Sequence, residues 1–261
     1  MFDGTVLSVP TTCGHVLVSE QRDNLFRISA TFQNCTTIKC QLSLHIRVED
    51  DEFIMENTNE KLILTNEENS LSLPGYHSGM LFETVGNWLF VEAQSLGFKL
   101  YWDRHNYLVV KLDGLMWGRT SGLCGSLSGN PYDDYQDVEG KSASGLSNFV
   151  ESWTLDEHEC NSLNGQLISV QHPCQILGTE ANNDATEFCS NMLYNEGLNT
   201  CFQNLNPLPY YESCKWSYCK EYNNIKLAKE FGCQAAESYV RACKEQDNTP
   251  VTWRQNDFCC K

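Results

Sequence analysis

Hydrophobic and polar residues alternate with a period of two along the first part of the chain, from Val6 to about Asp113. Short runs rich in β-branched and aromatic residues are separated by polar or glycine-containing turns, as in half-buried β-strands. Strands at this spacing favour an antiparallel β-sandwich. The predicted strands are Phe26–Phe32, Gln41–Val48, Glu52–Met55, Leu62–Leu64, Met80–Phe82, Trp88–Glu92, Lys99–Trp102 and Tyr107–Leu112.

The pattern becomes helical in the last third of the chain. Apolar residues and cysteines recur three or four positions apart in Ala185–Leu193, Tyr210–Lys220 and Ile225–Cys243. A shorter helix is predicted at Ser147–Thr154, with Ser147 as a candidate N-cap.

Between these parts, residues 161–173 are rich in Asn, Ser, Gly and Gln and end in a proline, which is typical of a linker. We therefore expect an α+β chain with an antiparallel β-sandwich at 1–160, a linker at 161–173 and a small disulfide-rich α-helical module at 174–261. A module of that size has a thin core, so cross-links are expected to support it.

The chain has 14 cysteines among its 261 residues, without repeated C-x-x-C pairs or a His-rich zinc pattern. This density favours disulfides in an oxidising compartment, so we expect a secreted, extracellular protein. Both predicted domains hold an odd number, so complete oxidation requires a bond between them or to another chain. The cysteines are Cys13, Cys35, Cys40, Cys124 and Cys160 in the first domain, and Cys174, Cys189, Cys201, Cys214, Cys219, Cys233, Cys243, Cys259 and Cys260 in the second.

The formal net charge of -16 makes nucleic acid an unsuitable partner. No apolar run approaches the roughly 18 residues that a membrane-spanning helix needs, so we expect no membrane span. Met1 is followed at once by Phe-Asp-Gly, so no signal peptide is visible and we expect a fragment of a longer protein. Asn34 begins an Asn-Cys-Thr sequon and is a candidate glycosylation site.

The segment from Gly122 to Asp134 places a cysteine, a glycine-rich turn and several oxygen-bearing side chains close together. Oxygen donors that end in two adjacent carboxylates suit a hard cation such as calcium, which takes six to eight oxygen ligands. The glycines allow the backbone to fold around an ion.

Two further stretches accompany this segment: Phe2-Asp3-Gly4, and Trp153 to Cys160. With all three, the first 160 residues resemble a von Willebrand factor type D domain. The downstream part of the chain resembles the eight-cysteine module that follows such domains. The resemblance rests on the order of the cysteines, on Asn206 to Cys214 and on Val251-Thr252-Trp253-Arg254. Both halves occur in the order of that family.

The resemblance implies a Ca²⁺ site with ligands from Asp3, Ser126, Ser128, Asn130, Asp133 and Asp134. Relatives usually carry Asn or Asp where this chain has the two serines, and hydroxyls are weaker ligands. We therefore expect a dissociation constant on the order of 10⁻⁴ to 10⁻³ M. The alternative is an Asx-type turn in which the two adjacent aspartates bind the local backbone without a metal.

Spacing leaves the disulfide pairing open, with Cys35–Cys40 and Cys13–Cys124 as hypotheses. Multimer-forming relatives commonly carry Cys-Gly-Leu-Cys, whereas this chain has Ser121 at the first position, so a C-x-x-C dithiol cannot form there. Similar proteins place cysteines that bond to another subunit near Cys259 and Cys260. The expected partners are other extracellular proteins or copies of the chain, linked through one of these two cysteines.

The sequence has no G-x-S-x-G elbow, P-loop, G-x-G-x-x-G or H-E-x-x-H motif. We therefore expect a non-enzymatic structural, adhesion or multimer-assembly unit of a larger secreted glycoprotein. The alternative is a fragment of a secreted ostracod-type luciferase acting on an imidazopyrazinone luciferin, because those enzymes contain similar domains. Light emission on adding the luciferin discriminates between the two.

Overall fold

The computed structural model of the protein describes residues 1–3, 13–33, 41–58, 61–66, 69–86, 88–104, 108–155, 162–163, 166–167, 172–203, 205–247, 252–254 and 258–259. The chain divides into two compact units, Met1–Val170 and Gln171–Lys261.

The first unit is built from antiparallel strands. They are β1 (His15–Glu20), β2 (Phe26–Gln33), β3 (Gln41–Val48), β4 (Asp51–Thr58), β5 (Lys61–Asn66), β6 (Asn69–Ser70), β7 (Gly75–His77), β8 (Met80–Val85), β9 (Trp88–Ala93), β10 (Phe98–Trp102), β11 (Leu108–Leu112) and β12 (Thr120–Ser121). Within the described residues, one sheet has the order β12-β1-β2-β3-β4-β5-β6 and the other β11-β10-β9-β8-β7. The predicted strands are all present.

The two sheets enclose one apolar core, because alternate side chains of each strand point inward. In β9, for example, Leu89, Val91 and Ala93 are fully buried. Aromatic rings meet across the core: the centroids of Phe26 and Phe98 are 4.6 Å apart. The expected antiparallel β-sandwich is confirmed.

Strand β1 did not stand out in the sequence, because nearly all of its residues are buried and it lacks clear alternation. Val18 faces the core between the sheets, whereas Val16 packs in a second cluster with Phe149 and Trp153. Both faces of the strand are therefore covered.

The helix that supplies this second cluster is α1 (Leu146–Ser152). It begins one residue before the predicted helix, and its N-cap is Gly145, without a side-chain cap. The candidate cap Ser147 is therefore wrong, since that residue already lies inside the first turn. After the helix, the Trp153 carbonyl accepts a 2.9 Å hydrogen bond from Val16 N and ties the segment to β1.

The second unit is helical. Its helices are α2 (Pro173–Leu177), α3 (Thr179–Leu193), α4 (Asn199–Phe202), α5 (Leu208–Lys220) and α6 (Ile225–Asp247). The three predicted helices are present, and α3 extends six residues further toward the N-terminus. Its first turns bury only small residues such as Ala181, which give a weak periodic signal.

Four disulfides cross-link this unit among its described residues. They connect α2 with α5, α3 with α5, α4 with α6, and α6 with the C-terminal segment, through Cys174–Cys219, Cys189–Cys214, Cys201–Cys243 and Cys233–Cys259. Seven of these eight cysteines and Tyr239 belong to the buried core. The expected α+β class with a disulfide-rich helical module is confirmed.

The segment between the units is partly described. Ser162–Leu163 and Gln166–Leu167 form a short antiparallel pair, β13 and β14, and Pro173 is already the first residue of α2. The predicted domain limits at 160 and 174 stay predictions. Across the described part of the chain, no helix combines the length and the hydropathy that a bilayer crossing requires.

A buried ion pair between Glu20 and Arg119 lies just before the segment that carries the candidate site. Glu20, at the end of β1, has a fully buried side chain, and its Oε1 accepts hydrogen bonds from Arg119 Nε at 3.0 Å and Nη2 at 2.9 Å. Its carboxylate also accepts from the backbone N–H groups of Arg22, Asp23 and Leu25. Arg119 directly precedes β12, so the pair fixes where the chain enters residues 122–134.

Replacing Glu20 with Gln should destabilise the first unit by about 3 kcal/mol, because Arg119 loses its buried counter-charge. Burial on its own raises the pKa of Glu20, but the backbone hydrogen bonds and Arg119 outweigh it and bring that pKa below 4.5. The stabilisation from Glu20 should therefore be complete above pH 4.5 and be lost as the pH falls through the lowered pKa. Urea unfolding at several pH values measures both effects.

The matched control is Asp23→Asn, which removes a carboxylate 2.6 Å from the same guanidinium but with a 56% exposed side chain. It should cost no more than about 1 kcal/mol. Equal losses in both variants would contradict a special role for the buried partner.

Candidate metal centre

Main-chain hydrogen bonds attach the segment 122–134 to β1. Leu123 N donates to the Val16 carbonyl at 3.1 Å, and Cys124 N donates to the Leu17 carbonyl at 2.9 Å. The segment therefore begins in register with a strand that is covered on both faces.

The same segment also binds the N-terminus of the chain. Phe2 N donates a 2.9 Å hydrogen bond to the Cys124 carbonyl, and the Phe2 side chain packs against the core of the sandwich. Asp3, the next residue, is thereby placed beside residues 126–134.

Asp3 accepts several hydrogen bonds at one oxygen. Its Oδ2 accepts from Ser128 N at 3.2 Å, Ser128 Oγ at 3.0 Å and Asn130 N at 2.9 Å. Burial on its own raises the pKa of Asp3, but these bonds and the Gly129 backbone outweigh it, so the pKa lies below its usual value of 3.8. Asp3 is therefore a carboxylate at neutral pH.

Three carboxylates converge at this position. Oxygen atoms of Asp3, Asp133 and Asp134 all lie within 4.8 Å of one another. The Ser128 hydroxyl lies between two of them, 3.0 Å from Asp3 Oδ2 and 2.9 Å from Asp133 Oδ1. A hydroxyl has one proton, so it can donate to only one of these two carboxylates at a time.

Ser126 and Asn130 contact the cluster through their backbone. Ser126 N donates to Asp134 Oδ1 at 3.2 Å, and Asn130 N donates to Asp3. The Asn130 side-chain oxygen accepts from Tyr132 N at 3.3 Å and caps a short 3-10 turn, Pro131–Asp133. The structure thus brings Asp3, Ser128, Asp133 and Asp134 together through their side chains.

The donor set fits a hard cation, because it consists of oxygen atoms with three negative charges at short range. Like charges this close repel, and Asp134 is only 1% exposed, so water screens it poorly. The same residues accept hydrogen bonds from the local backbone, as in an Asx-type turn, and bring three carboxylates together, as a cation site requires. The geometry therefore fits both interpretations of the segment.

Glycines allow the close approaches in this segment. Gly122 has φ +128°, and a Cβ there would lie 2.5 Å from the Leu17 carbonyl oxygen. Gly125 has φ +74°, and a Cβ there would overlap Asp134 Oδ1. Side chains at these two positions would displace the segment from β1 or from its own aspartate.

The predicted disulfide between Cys13 and Cys124 is wrong, because Cys124 is a free thiol while Cys13 is disulfide-bonded. Cys124 pairs with Leu17, four residues beyond Cys13, which corresponds to roughly 13 Å along an extended chain. A disulfide requires Cα atoms within about 7 Å. Burial raises the pKa of the Cys124 thiol to about 11.

Cys259 is bonded to Cys233, so of the two candidate cysteines it is the one that closes the helical unit and not the one that links another subunit. The ring of Phe258 packs 5.3 Å from that of Phe188 in α3, which brings the C-terminal segment onto the helical core. The predictions for Asn34, Cys35, Cys40, Cys160 and Cys260 lie outside the described residues.

Some supporting residues were not predicted. Thr120 Oγ1 accepts from Leu127 N at 3.3 Å, and Gly118 N donates to the Leu127 carbonyl at 2.7 Å. The Trp117 ring lies close enough to Gly129 that a Cβ there would approach it within 2.9 Å. The glycine at position 129 could have suggested that another group approaches the backbone closely there. No local pattern in the sequence identifies Trp117 or Thr120 as neighbours of the segment.

The comparisons with known proteins cover both units. A family model described as the von Willebrand factor type D domain matches residues 1–141, and a C8 domain model matches residues 188–260.

Several curated proteins are similar to the chain. SCO-spondin of Rattus norvegicus is 30% identical over 193 residues, covering 69% of this chain and 4% of that protein. Von Willebrand factor of Bos taurus is 30% identical over 158 residues, covering 60% and 16%, and Mucin-5B of Homo sapiens is 25% identical over 275 residues, covering 100% and 4%. These relatives are secreted glycoproteins, of which the chain spans a small part.

Replacing Gly125 with Ala should displace Asp134 and destabilise the first unit by more than about 2 kcal/mol, because the clash adds to the strain of a positive φ. Urea unfolding of the variant and the parent measures this difference.

Gly140→Ala is the control, since Gly140 has nearly the same φ of +77° but nothing within 4 Å of an added Cβ. It should cost only the backbone strain, about 1–2 kcal/mol. If both variants lost the same stability, contact between Gly125 and Asp134 would not matter.

Proposed function

Because the chain belongs to the von Willebrand factor type D domain family and has a C8 domain after that domain, we propose that it is a calcium-stabilised structural or assembly unit of a larger glycoprotein. The chain is a secreted, extracellular protein. The observation that carries the calcium part is the convergence of Asp3, Asp133 and Asp134 within 4.8 Å.

Asp3, Asp133 and Asp134 would hold the ion, and the Ser128 hydroxyl is placed to contribute a further oxygen. Bound calcium supplies positive charge that offsets the repulsion among the three carboxylates. Asp3 lies at the N-terminus and the other two lie more than a hundred residues later. The site would therefore fasten the start of the chain to the segment 122–134.

We propose that this role is non-enzymatic. The candidate ligands are oxygen atoms that also receive backbone hydrogen bonds, and such a site offers no redox chemistry. Two described histidines have bonding partners within the sandwich: His15 Nδ1 lies 2.8 Å from the Cys13 carbonyl, and His45 Nε2 lies 3.1 Å from Thr31 Oγ1. These contacts favour structural roles for both side chains.

The number of cysteines left to pair bears on whether the chain forms a disulfide with another chain. Of the 14 cysteines, eight form the four described disulfides and Cys124 keeps its thiol. The remaining five cannot all pair with one another, because five is odd. We propose that Cys260, next to the bonded Cys259, is the cysteine that links the chain to another copy or to an extracellular partner.

Calcium at about 2 mM should stabilise the parent protein by about 0.6 to 1.8 kcal/mol, which follows from a dissociation constant of 10⁻⁴ to 10⁻³ M. Asp133→Asn and Asp134→Asn should abolish this gain. In a chelator both variants should be at least as stable as the parent, because each removes one of three repelling charges. Urea unfolding with calcium or chelator, and calorimetric calcium titration, provide the measurements.

The control is Asp50→Asn, which removes an exposed carboxylate in the turn between β3 and β4 and should keep the full calcium response. A parent protein that neither binds calcium nor gains stability from it would leave the Asx-type turn as the explanation of the cluster.

The non-reduced protein, alkylated before analysis, should show a covalent dimer or a disulfide-linked partner by intact mass. Cys260→Ser should remove it. Cys124→Ser is the control and should leave the species unchanged, because that thiol is partly buried and, with its pKa of about 11, protonated at neutral pH. A strictly monomeric parent with one alkylated Cys260 would overturn the covalent assembly role.

A further inference from the structure

The most exposed of the large hydrophobic side chains in the described part of the protein lies at the tip of the acidic segment. Tyr132 is 91% exposed, and its neighbours from Gly129 to Pro131 are exposed as well. The turn is rigidly placed, because Asn130 caps its first residues and Asp133 reaches back to Ser128. The Tyr132 phenol therefore projects from a fixed turn into solvent.

The charged side chains close to Tyr132 in the sequence have one sign. Asp133 and Asp134 follow it directly, Asp137 lies five residues further on, and the chain has no basic residue between Arg119 and Lys141. An enzyme that transfers a sulfuryl group must hold an anionic donor with basic residues, and the same positive field attracts an acidic acceptor segment. Secreted proteins meet such enzymes on their route out of the cell.

We propose that Tyr132 is a site of tyrosine O-sulfation. The phenolic oxygen attacks the sulfur of a 3′-phosphoadenosine 5′-phosphosulfate donor, and an S–O bond to Tyr132 forms as the bond between sulfur and the donor's phosphate oxygen breaks. The phenol proton passes to a base of the transferring enzyme. The products are a tyrosine sulfate ester and the adenosine bisphosphate, with no oxidation or reduction.

Among the residues that the structure describes, the other exposed tyrosines lack this combination. Tyr76 is 71% exposed, yet no acidic residue lies within five positions of it. Tyr194 is 82% exposed and has only Glu196 nearby. Tyr135 shares the acidic segment, but its ring packs edge-on against Phe149 with centroids 5.4 Å apart. Exposure and acidic surroundings coincide at Tyr132.

Sulfation would convert a neutral phenol into a permanent anion beside Asp133, and so extend the negative surface of the turn toward a basic partner. The inference rests on exposure, charge and secretion, and holds whether or not the carboxylates bind calcium.

The test uses the full chain secreted from cultured animal cells. Cleavage after Arg119 and Lys141 releases a peptide with two tyrosines, Tyr132 and Tyr135. This peptide should carry an added mass of about 80 Da that resists phosphatase, because a phosphate ester has nearly the same mass but is hydrolysed. Fragmentation under conditions that retain the sulfate should place the group on Tyr132, and growth with chlorate, which blocks donor synthesis, should remove it.

Tyr132→Phe should abolish the modification, whereas Tyr76→Phe should leave it unchanged. Mapping the parent peptide decides the question even if a variant is not secreted. An unmodified peptide from cells that sulfate a control protein, a phosphatase-sensitive group, or modification of Tyr135 would each overturn the proposal.

Discussion

The pairing of residues 123 and 124 with Val16 and Leu17 is the constraint on which the candidate site depends. β1 is covered by the sandwich core on one face and by α1 and its neighbours on the other, so it offers a rigid reference. Once the segment is in this register, Cys124 can accept the hydrogen bond from Phe2 and bring the N-terminus into place. The acidic cluster therefore results from backbone geometry, because the main-chain pairing places Asp3 beside residues 126–134.

The same geometry helps the cluster to accommodate three carboxylates. Backbone N–H groups of Ser126, Ser128 and Asn130 supply partial positive charge directly at the oxygens. These dipoles are fixed by the turn and do not have to be reorganised. A cation would then complete an arrangement that the backbone has already prepared.

The sequence predicted the parts of the protein that have local signals. Period-two alternation located the strands of the sandwich, and the glycine and aspartate spacing located residues 122–134. It missed β1, because a strand buried on both faces does not alternate. It could not reveal Glu20 with Arg119, which are 99 residues apart, and it paired Cys13 with Cys124 wrongly, since spacing contains no information on register. The residues of the acidic cluster could thus be located from the sequence, whereas the residues that support them required the three-dimensional fold.

The disulfides of the helical unit have a mechanical consequence for a protein that is loaded between its ends. Under tension, force entering at Cys174 passes through its sulfur to Cys219, along 14 residues to Cys233, and through a second disulfide to Cys259. The covalent path, including its two disulfides, can therefore lengthen to only about 60 Å, instead of the roughly 300 Å of the uncrosslinked chain between the same two residues. The unit would behave as a short, nearly inextensible link, and elastic extension of the surrounding protein would have to occur elsewhere.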